Sequence, residues 1–215
     1  MPVPSIERPD LPERMTWEEL ENLPAEVAAQ IELWEGRVVW VRRGPGEHQM
    51  AMRRMTEQIE RCARDDMSNS ERCWRVNLET NVFFGNVGKS DFVTPDFLVH
   101  RCLPPFADVR ATDTLLVGEV LSPSNTQIDI EAKRARYAGG GIPWYWEVTL
   151  HRNTGAIGTV RAYGLDIGHA ELPQGVRPLR PANYVLAGEW TSADTPDISF
   201  PYPFPIDIPW SSLSF

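Results

Sequence analysis

Residues 115–121 place the tightest constraint on the fold. Leu115, Leu116, Val117, Val120 and Leu121 are apolar, and Glu119 is the single charge among them. A short run of this kind predicts a strand covered on both faces, with Ser122-Pro123-Ser124 as its stop. The period then changes. Residues 127–138 read as a helix ended by Gly139-Gly140-Gly141, and 144–149 read as a further strand. A strand, a helix and a strand in succession predict an α/β or α+β fold with a central mixed sheet.

The upstream half fits that frame. Thr16 and Glu19 have capping-box spacing, which predicts a helix stopped by Pro24. Residues 31–41 predict a hairpin turning at Glu35-Gly36. In 48–66, Met52, Met55, Ile59, Cys62 and Ala63 share one face, while Glu57/Arg61 and Glu60/Arg64 form i,i+4 pairs on the other. Those arginines read as a solvated face, with a DNA-facing patch as the alternative. Strand-like runs follow at 73–78, 81–84 and 96–100. Beyond 150, Gly155, Gly158, Gly164 and Gly168 punctuate short β-like pieces, and 200–210 holds four Pro. We read 150–215 as an added hairpin and a Pro-rich tail packed on one domain, whose core spans about 31–149.

Composition narrows the function classes. The net charge is −9, with −7 in residues 1–36 and +3 in 37–75. An acidic total argues against a protein that coats DNA, though not against an enzyme that grips phosphates locally. No apolar run reaches the roughly 18 residues of a membrane span. The N-terminus lacks the pattern of a signal peptide. Cys62, Cys73 and Cys102 are an odd, sparse set, a poor disulfide framework without a CxxC zinc pair. These features predict a soluble protein of a reducing compartment, the cytoplasm.

Two acids stand where acids are costly. Glu119 lies inside the apolar run, and Asp96 lies in Thr94-Pro95-Asp96-Phe97-Leu98-Val99. A buried carboxylate costs several kcal/mol, roughly, unless it is paired or bound to metal. If their strands are neighbours, the two form a hard-oxygen site suited to Mg²⁺ or Mn²⁺. Otherwise each acid caps a strand end and pairs with an arginine. Asp129, Lys133 and Tyr137 lie along one face of the next helix, which returns over the strand end. Lys133 there reaches towards Glu119; the plainer alternative is a surface Asp129–Lys133 pair.

Pro95-Asp96, the stretch from Glu119 to Ser124, Asp129, Lys133, Tyr137 and the stretch from Gly141 to Trp146 resemble the restriction endonuclease family of the Uma-two type, in the PD-(D/E)XK nuclease superfamily. The acidic hairpin from Ile31 to Gly36 and the helix-opening His48 match as well. The resemblance implies an αβββαβ restriction-endonuclease-like core with the site at the strand ends. It implies Asp96, Glu119 and the Val120 carbonyl as metal ligands and Lys133 as the third motif residue, since Leu121 occupies the usual lysine position. Glu35 and His48 are second-tier candidates with Asp129 and Tyr137. Their plainer readings are a turn acid beside Gly36 and an exposed helix-start histidine. Trp144 and Thr149 depart from the family pattern, where acids are common.

The implied activity is Mg²⁺-dependent hydrolysis of DNA phosphodiesters. A homodimer is an expectation of that reading, because double-strand cleavage needs two sites. The alternatives are an inactive binding or assembly module on the same fold, or a metal-dependent hydrolase of another phosphate ester. Other signals are discounted. Gly85–Ser90 ends like a phosphate loop, but Phe83 stands where Gly is required, so a turn is expected. His100 with Cys102, His151 and His169 show no constellation. Ser122 and Ser124 read as turn and helix-cap residues.

Overall fold

The computed structural model describes residues 10–41, 44–121, 125–166 and 182–215. Ser122-Pro123-Ser124, Gly168 and His169 lie outside them. In chain order the elements are α1 (Trp17–Glu21), α2 (Ala25–Ala28), β1 (Ile31–Trp34), β2 (Arg37–Trp40), α3 (Gly46–Ser68), β3 (Trp74–Leu78), β4 (Val82–Val93), β5 (Phe97–Arg101) and β6 (Val109–Arg110). They continue with β7 (Thr114–Leu121), α4 (Gln127–Gly139), β8 (Trp144–Leu150), β9 (Ile157–Asp166), β10 (Asn183–Thr191), β11 (Asp197–Phe200) and β12 (Ile206–Pro209).

The architecture is α/β with mixed sheets. A six-stranded sheet has the order β10-β9-β8-β7-β5-β3, and β7 and β8 are its parallel pair. The expected single central sheet is divided, because β2-β1-β4-β6 form a second, four-stranded sheet. Sequence period marks strands but not the sheet to which each belongs.

Alternation along the six strands makes two different faces. On one, Phe97, Val99, Leu116, Val120, Trp146 and Val148 pack against the apolar stripe of α3. The β11–β12 hairpin closes the same cluster with Ile198, Ile206 and Ile208. On the other, Leu98, Val117 and Tyr145 meet Tyr137 of α4 and Val82 and Val93 of the second sheet.

Local chemistry explains the element ends. Thr16 and Glu19 form the expected capping box on α1, but Pro24 opens a second short helix rather than ending structure. The hairpin turns at Glu35 and Gly36 with φ of 52° and 82°, the left-handed pair that matches strand twist. Thr126 caps α4, with a reciprocal box to Asp129.

Two expectations are corrected. Gly85–Ser90 is not a separate turn but runs inside β4, bent at Gly85 and Gly88 where φ is positive. Beyond residue 150, β9 and β10 pair as a hairpin that extends the main sheet, and the tail forms a further hairpin of β11 and β12. Cys73 and Cys102 are joined as a disulfide, with Cα atoms 5.4 Å apart. Pairing of β3 with β5 aligns Trp74 with Arg101 and so brings the flanking cysteines together, a contact absent from any cysteine count. Among the described residues, no helix is long and apolar enough to cross a membrane.

Candidate functional site

Asp96 immediately precedes β5, and Glu119 is the sixth residue of β7. The antiparallel register sets Phe97 opposite Gly118, which brings Asp96 alongside Glu119 at one end of the sheet. Gly118 is required there: a Cβ would lie 1.9 Å from the Phe97 ring. Successive side chains alternate, so Glu119 projects from the face opposite Val120 and towards α4.

Helix α4 delivers Lys133 and Tyr137 to Glu119. Lys133 Nζ donates to both carboxylate oxygens, at 2.9 and 3.1 Å, and the Tyr137 hydroxyl donates to Oε1 at 2.5 Å. The spacing of four residues places both donors above one carboxylate. The β1–β2 hairpin adds Glu32, fully buried, whose Oε1 lies 3.5 Å from Lys133 Nζ. Glu32 is held in turn by the Trp34 indole N–H at 2.8 Å and the Thr94 amide at 3.0 Å.

Asp96 is fixed from two other sides. The Val120 amide donates to Oδ2 at 2.6 Å, and His48 Nε2 lies 3.2 Å from Oδ1. His48 is buried, not an exposed helix-start residue. Val120 therefore enters the site through its N–H. Asp96, Glu119, Lys133, Val120, His48 and Tyr137 are thus brought together.

Glu35 and Asp129 are not part of this cluster. Glu35 is exposed at the hairpin turn, 3.8 Å from Arg136. Asp129 spends its carboxylate on the Thr126 amide and hydroxyl, at 3.1 and 2.7 Å, so the surface Asp129–Lys133 pair does not form. The acid that sequence reasoning passed over is Glu32. Its signal was present: Ile31, Glu32 and Leu33 repeat the pattern of one acid among strand apolars that singled out Glu119. A second is Glu147, aligned with Glu119 on the parallel neighbour β8. It is buried and engaged by Arg134 and by the hydroxyls of Tyr145 and Tyr163, each at 3.0 Å.

Burial dominates the electrostatics. It pushes the Glu119 carboxyl up to about 7, against the pull of Lys133 and with help from the Asp96 charge. Burial disfavours the Lys133 ammonium, yet the charges of Glu119, Glu32 and Asp96 outweigh it and hold the pKa above its ordinary value. His48 follows the same logic: burial lowers its pKa, and the Asp96 hydrogen bond with nearby acids raises it overall. The chain has just two lysines, Lys89 and Lys133. One of them occupying this crevice points to a need for a compact ammonium rather than a planar guanidinium.

The cluster opens into a cleft of about 1090 Å³, walled by Trp34, Val39, Leu121 and Ile128. Hard carboxylate oxygens of this kind suit Mg²⁺ or Mn²⁺. Three acids against one lysine leave negative charge for a cation to offset. Glu119 and Glu32 close on the Lys133 ammonium, while Asp96 is held by His48 and the Val120 amide. Among the described residues no group of three or more His, Cys, Asp or Glu side chains is arranged to hold a metal.

No curated protein matches this chain. Among solved structures, one described as a "putative nuclease belonging to DUF820" from Anabaena variabilis matches with a TM-score of 0.55 and 18% identity. The match covers 93% of this chain and 97% of that one, and at this identity it is a likeness of fold. The family model described as "Uma2: Putative restriction endonuclease" matches residues 17–175. With most of its length matched by that model, and with mixed sheets and a buried carboxylate–lysine cluster at their strand ends, the chain belongs to the Uma2 family, a distant relative of the PD-(D/E)XK-like nucleases.

Proposed function

We propose that this protein hydrolyses phosphodiester bonds of DNA with a divalent cation, Mg²⁺ or Mn²⁺, held at Asp96 and Glu119. One observation carries the reading: two strands, a hairpin and a helix, distant in sequence, converge Asp96, Glu119, Glu32 and Lys133 on one cleft. Buried charge at that density costs stability, and clusters of this kind lining a cleft are enriched at functional sites. When bound, the cation supplies Lewis-acid polarisation of the phosphodiester and activation of water. The chain's own residues do the rest. Lys133 places an ammonium where charge develops on the phosphoryl oxygens. Tyr137 and Trp34 orient Glu119 and Glu32, while His48 and the Val120 amide orient Asp96.

A second reading has its own support. Both oxygens of Asp96 and both of Glu119 already accept hydrogen bonds within the protein, as an inactive binding module would keep them. Plasmid nicking in Mg²⁺, Mn²⁺ or EDTA, by wild type and Asp96→Ala, tests both. Metal-dependent nicking lost in Asp96→Ala supports the nuclease. Equal nicking by both proteins marks contamination and counts against it. No nicking, together with no Mn²⁺ uptake, leaves the module. Turnover of nucleotides but not plasmid indicates hydrolysis of a smaller phosphate ester.

A further inference from the structure

The site is assembled from two parts that share no strand pairing: the β1–β2 hairpin with Glu32 and helix α4 with Lys133. Their join lies one helical turn beyond Lys133. Arg136 pairs with Asp91 of β4, which is fully buried. The same Asp91 oxygen accepts the Glu35 amide at 3.0 Å, in the turn of the hairpin. Next to it, the Gly36 amide donates to the Ser90 carbonyl at 2.6 Å. The Arg136 guanidinium also lies over Phe84, 4.6 Å from the ring centroid, and 5.7 Å from that of Trp34, whose indole holds Glu32.

We infer that Arg136 is a positioning residue: through Asp91 and Trp34 it ties α4 to the hairpin and so sets Lys133 between Glu119 and Glu32. This rests on the proposed nuclease site, but its geometry can be read without activity. A guanidinium suits the task because one planar group serves a carboxylate at its edge and two aromatic rings at its faces. A lysine at 136 would supply the charge without that fork.

The two-lysine composition supplies the assay. Acetylation by acetic anhydride in EDTA, followed by peptide mass spectrometry, reads Lys133 against Lys89, which is half exposed and serves as internal reference. In wild type, Lys133 should react at least tenfold more slowly than Lys89. Arg136→Gln should narrow that ratio to within about threefold at a temperature where circular dichroism shows it folded. Asp91→Asn, which keeps the shape, should do the same if Arg136→Gln fails to fold. Ile59→Ala, in the apolar cluster beneath α3, controls for general loosening. Wild-type protection of Lys133 in the folded clasp variants, or equal unmasking by Ile59→Ala at matched melting temperature, would overturn the inference. Failure of plasmid nicking by wild type would instead strike at the nuclease reading and leave the labelling result standing.

Discussion

The two faces of the six-stranded sheet are built from the same strands and make opposite investments. The α3 face is the dry one: Phe97, Val99, Val120, Trp146 and Val148 belong to one apolar cluster. The α4 face carries Glu119 and Glu147 side by side, each answered by a cation and a hydroxyl, with Asp96 beside Glu119 and held by His48 and the Val120 amide. Apolar burial stabilises without regard to direction, whereas buried ion pairs return little net stability and fail sharply when one partner is lost. The contrast teaches that the dry face holds the fold so that the charged face need not.

The largest expected effect breaks that division on the charged side. Glu119→Gln or Lys133→Met should lower metal-dependent nicking by about a hundredfold or more while the folded population persists, since each removes charge aimed at the reacting group. Loss of activity in step with loss of folded protein would show that the charged face is structural after all. Next, Ile59→Ala on the dry face should cost about 2–4 kcal/mol in urea unfolding, with nicking per folded molecule unchanged. Arg134→Met, which strands Glu147 but removes a guanidinium about one-quarter exposed, should cost less, about 2–3 kcal/mol, by the same measurement.

The smallest effect sharpens the comparison through pH. Folding raises the Glu119 carboxyl to about 7, above the value of about 4.3 for an unfolded chain. The folded state then holds the proton more tightly, so this residue's contribution is fully present below about pH 4.3 and is lost as pH rises through 7. In EDTA, the melting temperature of wild type relative to Glu119→Gln should therefore fall between pH 5 and 7.5. A flat difference would mean that Glu119 is solvated rather than buried.

Much of the site was legible because strands advertise buried acids. Glu119 and Asp96 stood out as single charges among apolar neighbours, and the helical spacing of Lys133 and Tyr137 put them on one face. Glu32 carried the same signature, but the turn position of nearby Glu35 drew attention first. Asp129 serves the capping box of α4, a use that spacing alone does not separate from an ion pair with Lys133, because both draw on the same residue types. The division into two sheets, the extension by β9 and β10, and the Cys73–Cys102 bond were not legible, because each depends on which strands pair.

Periodicity, capping and turn chemistry act over a few residues, and so residues 114–150 declare their strand, helix and strand without reference to the rest of the chain. Convergence is a different kind of fact. That Lys133 lies 2.9 Å from Glu119 and 3.5 Å from Glu32 follows from register and from how α4 and the hairpin dock, interactions between segments far apart along the chain. Local preference selects the elements; only packing decides which of their charges share a cleft.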